Sequence, residues 1–127
     1  MASQGHRAAG ADEWFRRARR NLRIARVTLE EGFADAASFY AHQAAEFALK
    51  ALQVSQTAKF ARTHDLTKLA KSVAAPPRIA RLAAFVSPAY VASRYPDVGG
   101  RVSRRTAEML LDASRRILRW VRRQLSS

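Results

Sequence analysis

The chain has 127 residues, carries 23 basic against 10 acidic side chains for a net charge of +13, and contains no cysteine. Disulfides, thiolate metal sites and a cysteine nucleophile are therefore excluded, and the 48% hydrophobic content argues for one folded domain rather than a disordered chain. No run approaches the ~18 consecutive apolar residues of a membrane span, and the opening MASQGHRAAGADEW lacks the apolar stretch of a secretory signal, so no membrane partner and a cytoplasmic location are expected.

Residues 1–10 are small and polar and read as a flexible tail, leaving 11–127 as a single domain. Asp12 and Glu13 then stand where a helix N-terminus favours negative charge. Ala11, Trp14, Ala18, Leu22, Ala25 and Leu29 recur at spacings of three and four, the seam of a first helix that should stop at Glu31-Gly32. Arg16, Arg17, Arg19, Arg20, Arg23 and Arg26 fill its other face. Such a run is most often a solvated face. Ile24 and Val27 fall inside the arginine arc and hint at a protein partner or a neighbouring element.

The second helix, Phe33 to Ser55, is the centre of the predicted bundle. Phe33, Ala37, Tyr40, Ala44, Phe47, Ala51 and Val54 form its seam, and alanine fills most of the remaining circumference. Asp35, Ser38, His42, Gln43, Glu46, Lys50 and Gln53 collect on one narrow polar stripe, expected to reach water or a ligand. Only Gly32 separates the two helices, which predicts an antiparallel hairpin.

The stretch QTAKFARTHD loses periodicity and reads as a loop, after which Thr63, His64 or Asp65 can cap a short helix carrying Leu66, Leu69, Ala70 and Val73. Pro76-Pro77 breaks the chain, and Pro77 suits the first position of another short helix ending at Val86. AYVASRYPDVGG reads as a mixed turn. A last long helix, about Ser103 to Gln124, buries Ala107, Leu110, Leu111, Ser114, Ile117, Leu118, Val121 and Leu125. The fold class is all-α: an up-and-down bundle of three long helices with short helices between the second and the last.

Chemistry-bearing patterns are sparse. His42 and Glu46 stand one turn apart, a spacing that can share a metal, but no third ligand follows, and a solvent-facing pair is the plainer reading. Neither a metal nor a cofactor is expected. Gly99-Gly100 lacks the lysine and flanking glycines of a phosphate loop. Glu46 and Lys50 have the order and spacing of a helix-surface ion pair, and Tyr95-Pro96-Asp97 that of a rigid turn.

Four short motifs nevertheless occur in order: Trp14 near the start; Gln43, Glu46 and Lys50 on the second helix; His64, Asp65 and Leu66 in the loop; and Arg94, Tyr95, Pro96 and Asp97 before the last helix. In this combination the chain resembles the HEPN domain family (higher eukaryotes and prokaryotes nucleotide-binding) over nearly its whole length. The resemblance implies a helical homodimer, often encoded beside a minimal nucleotidyltransferase in a toxin–antitoxin-like pair, and contact with nucleotide or RNA. Many members are metal-independent endoribonucleases whose signature is an arginine followed after four to six residues by a histidine. Here Arg62 precedes His64 by only two positions, and no histidine follows Arg94. The expectation is therefore a non-catalytic nucleotide-, RNA- or partner-binding protein, with Lys50 and Arg94 as the residues meeting an anion. A ribonuclease using His64 and Arg94, and a homodimeric scaffold, are the alternatives.

Overall fold

A computed structural model describes residues 2–96 and 102–127, with side chains from Gly10 onward. Six helical segments occur among the described residues: α1 (Ala2–Glu30), α2 (Ala34–Thr57), α3 (Leu66–Ser72), α4 (Pro77–Val86), α5 (Ala89–Ala92) and α6 (Arg104–Ser126). α1 opens earlier than Ala11, because apolar periodicity marks only the part of a helix that has an apolar face. No helix among the described residues is long and apolar enough to cross a membrane.

The α1–α2 hairpin turns on Gly32, whose φ of +92° lies in the left-handed region. Phe33 N–H donates to Thr28 O and Gly32 N–H to Leu29 O, the paired bonds that close a helix C-terminus around a left-handed residue. Beyond the turn, Ala37, Ala41, Ala44, Ala45, Ala48 and Ala51 of α2 are completely buried, as are Ala18 and Ala25 of α1. Small side chains on facing surfaces allow the two axes to approach closely. α2 packs against all five other elements and is the central helix.

α6 closes the bundle in the opposite direction to α1. Arg104 at its start donates to Leu29 O at the end of α1 (3.0 Å), and Ser114 Oγ donates to Ala41 O of α2 (2.6 Å). Its buried face includes Trp120, which the sequence pattern left out, while Leu111 and Leu125 are only partly buried. Of the three possible caps for α3, Asp65 is the one used: its Oδ1 accepts from the N–H groups of Thr67 and Lys68. Leu66 N–H donates to Ser87 Oγ, which ties the start of α3 to the end of α4. The stretch read as a mixed turn contains the single helical turn α5.

One expectation is overturned. Most of the polar stripe of α2 does not face water: Ser38, His42, Glu46, Lys50 and Gln53 are buried and Gln43 partly so, and only Asp35 at the start of the helix is exposed. The reason is that the loop 58–65, α3 and Tyr90 of α5 lie over that side of α2, with Trp14 of α1 beside Lys50. Phe33, placed on the seam, is instead 60% exposed at the hairpin.

Candidate functional site

The buried stripe holds a connected set of polar groups. Glu46 lies at its centre, 2% exposed, with Oε2 accepting from Lys50 Nζ at 2.9 Å and Oε1 2.9 Å from His64 Nδ1. The hydrogen bond to His64 reaches across from the loop, so the imidazole is oriented by a carboxylate that water does not screen. His42 Nε2 donates to the carbonyl of His64 at 3.1 Å, fixing the same loop residue by its backbone. Burial pushes the His42 pKa down from its ordinary 6.5 to about 4, against the opposing pull of Glu46, so His42 is neutral at pH 7. With its proton on Nε2, its Nδ1 is an acceptor, and the 3.7 Å approach to Glu46 Oε1 is not an ion pair. His42 is thus a buried support rather than a surface residue.

Gln53 continues the stripe for the same purpose. Its Nε2 donates to Ser72 Oγ of α3 and its Oε1 accepts from Ala61 N–H in the loop. The job of the stripe is therefore to pin the loop 58–65 and α3 onto α2.

The pinned loop presents His64 outward, its side chain 51% exposed. The imidazole stacks on Tyr90 of α5, with ring centroids 4.0 Å apart and planes at 12°. Arg94, one helical turn beyond Tyr90, places its guanidinium carbon 4.8 Å from the same ring, and 5.8 Å and 5.6 Å from those of Phe39 and Tyr95. Two residues thirty positions apart in sequence thus share one aromatic neighbour. No carboxylate pairs with Arg94 among the described residues. His64 Nδ1 is committed to Glu46, which leaves Nε2 as the ring nitrogen with no hydrogen bond among the described residues. The arrangement offers a cation, a flat aromatic surface and an imidazole side by side.

The remaining sequence-derived residues fall elsewhere. Lys50 is 5% exposed, and its ammonium lies within 6 Å of the Trp14 and Phe60 rings as well as on Glu46; the anion it meets is an internal one. Trp14 packs edge-on against Phe47 at 5.1 Å and tilted against Phe60 at 4.7 Å, which covers the Glu46–Lys50 pair from the α1 side. Gln43 takes no part in these hydrogen bonds, and its Oε1 is buried without a partner. Asp65 is the α3 cap. Tyr95 and Pro96 are exposed beside Arg94, and Asp97 lies outside the described residues. Sequence reading missed Tyr90. The available signal was its position four residues before Arg94, the spacing at which helical neighbours touch.

The comparisons with known proteins agree with this architecture. The HEPN domain family model matches residues 11–124. A crystal structure of TT1696 from Thermus thermophilus is 32% identical and superposes with a TM-score of 0.82, over 89% of this chain and 96% of that one. The crystal structure of ST0689, described as an archaeal HEPN homologue, is also 32% identical, with a TM-score of 0.77 over 91% of this chain and 97% of its own. No curated protein matches the sequence.

Proposed function

The chain belongs to the HEPN domain family, and within it we propose that this protein binds the phosphate of a nucleotide or RNA at the face formed by His64, Tyr90 and Arg94. The observation that carries the reading is the common placement of His64 and Arg94 against the Tyr90 ring, 4.0 Å and 4.8 Å from its centroid. An exposed guanidinium makes bidentate contacts to phosphate oxygens, and the outer face of a stacked imidazole accepts a base. The family resemblance supports one assembly for this site, a homodimer that works with a minimal nucleotidyltransferase. Calorimetric titration with ATP and with a short RNA tests the site. Arg94→Gln should weaken both by about tenfold, the loss of one charge-assisted hydrogen bond, while stability falls by no more than about 0.5–1 kcal/mol, the worth of its exposed cation–π contact. Unchanged affinity would sink the assignment.

A second reading, RNA cleavage, is favoured by one specific contact. The bond from His64 Nδ1 to Glu46 leaves Nε2 able to take the proton of a ribose 2′-hydroxyl, with Arg94 steadying charge on the phosphate. It requires cleavage of labelled RNA in the presence of a chelator, lost in both His64→Ala and Arg94→Ala. An intact substrate removes this reading and leaves the binding one standing.

A further inference from the structure

A different part of the molecule holds most of its excess charge. Between Arg16 and Arg26, α1 carries six arginines and no carboxylate, and between Arg115 and Arg123, α6 carries five and no carboxylate. The antiparallel packing brings the two stretches together. Arg26 and Arg115 line one groove of about 180 Å³ together with Leu22, Leu29 and Leu111, and the carboxylates Glu108 and Asp112 stand at this end of it, before the α6 arginine stretch begins. From there α1 runs toward its N-terminus and α6 toward its C-terminus, side by side, with Phe15, Leu22 and Leu125 packed on the common core. Arg19 stands seven residues before Arg26, and Arg122 seven after Arg115, two turns along the same faces.

Carboxylates answer only part of this charge. Glu13 pairs with Arg16 and Arg17, and Asp112 with Arg115 and Arg116. Arg19, Arg20, Arg23, Arg119, Arg122 and Arg123 are exposed and make no ion pair among the described residues. A face that serves solubility alone is best served by mixed signs, because adjacent like charges on a helix destabilise it. Here the like charges are concentrated on two neighbouring helices, on arginine, the side chain whose planar fork fits phosphate. Val27, on the α1 arc, is 48% exposed where an apolar group gains nothing from water.

From these observations we propose that the seam between α1 and α6 binds the sugar-phosphate backbone of a nucleic acid along its length. This surface is separate from the His64–Tyr90–Arg94 face and stands whether or not that face takes a nucleotide. The test is fluorescence anisotropy with fluorescein-labelled oligo(U), oligo(dT) and an RNA duplex, each of about twenty nucleotides, across a salt series. The wild-type protein should bind with a steep salt dependence, and the three probes tell which backbone it prefers. Arg19→Gln, Arg23→Gln, Arg119→Gln and Arg122→Gln together should weaken binding by at least about tenfold. They should also lower the slope of log K against log salt by about 3 for a single strand, close to 0.7 for each phosphate that is no longer neutralised. The pairs Arg19→Gln with Arg23→Gln and Arg119→Gln with Arg122→Gln, each checked by thermal unfolding, give half the change if the fourfold variant does not fold. Arg78→Gln with Arg81→Gln on α4 should change neither quantity. Absence of oligonucleotide binding by the wild type, an unchanged salt slope in the variants, or equal binding of poly-glutamate would overturn the proposal, the last in favour of an acidic protein partner.

Discussion

Glu46 and His64, eighteen residues apart, are joined by a 2.9 Å hydrogen bond between a buried carboxylate and a half-exposed imidazole. The other carboxylate oxygen holds Lys50, which is itself buried under Trp14 and Phe60. Removing one member of such a pair leaves an uncompensated charge inside the protein, which costs about 3–5 kcal/mol. Glu46→Gln and Lys50→Met should each lower stability by that order. The double variant should lose less than the sum, with a coupling of about 1–3 kcal/mol in a denaturant double-mutant cycle. Additive losses would mean that the two charges do not depend on one another.

The neutral state of His42 makes stability depend on pH in a defined direction. The unfolded chain takes up a proton at His42 near pH 6.5, whereas the folded chain does so only near pH 4. Between these values the unfolded state binds more protons, so stability falls as the pH is lowered from 6.5 to about 4, by roughly 3 kcal/mol from this residue alone. His42→Gln keeps the side-chain size and should flatten the urea midpoint over that window. A midpoint that drops as steeply in the variant as in the wild type would assign the effect to other groups.

The helices were legible because each long one has an apolar face of period 3.6, and Gly32 and Pro77 punctuate them at positions where their backbone geometry is needed. The direction of the polar stripe on α2 was not legible. Ser38, His42, Glu46, Lys50 and Gln53 have the spacing of a solvated face, and their burial depends on the loop 58–65, α3 and α5 returning over them and on Trp14 of α1. That return is held by long-range side-chain bonds such as Gln53 to Ser72 and His42 to the His64 carbonyl, which leave no local period. His64 and Arg94 were visible as individual motif residues. Their convergence on Tyr90 was not, because Tyr90 sits in a single helical turn between Pro88 and Ser93, too short for a pattern.

Two alanines carry backbone strain that glycine would relieve. Ala58, at the end of α2, has φ of 66°, and Ala74, just after α3, has φ of 56°. The left-handed region costs a Cβ-bearing residue roughly 1 kcal/mol, partly offset by the greater freedom of glycine when unfolded. Ala74→Gly should therefore raise the thermal midpoint slightly, or leave it level. A clear loss would show that the Ala74 methyl contributes packing that outweighs the strain.

The cap of α3 connects stability to the site. Asp65 accepts two N–H groups at the head of α3 and immediately follows His64. Asp65→Ala should cost about 1 kcal/mol, the usual value of an N-cap, and Asp65→Asn much less. Hydrogen exchange should report the loss first at Thr67 and Lys68. Protection unchanged at those two amides would place the stability of α3 in its buried Leu66 and Leu69 instead.

Tyr90 is the residue on which the arrangement of the site depends, and its ring and its hydroxyl can be separated. Stacking at 4.0 Å and 12° places the His64 protons in the shielding region above the Tyr90 ring, so their NMR signals should lie upfield of those of an exposed histidine. Tyr90→Phe preserves the ring and should preserve the shift. Tyr90→Leu removes the aromatic face and should return the His64 signals toward ordinary positions, while Glu46 still holds Nδ1. The same substitution removes the cation–π partner of Arg94, an interaction worth about 0.5–1 kcal/mol at an exposed site. If the face binds a nucleotide, Tyr90→Leu should weaken it severalfold and Tyr90→Phe should not. Equal binding by both variants, with the His64 shift lost only in Tyr90→Leu, would show that Tyr90 organises the histidine without preparing the face for a ligand.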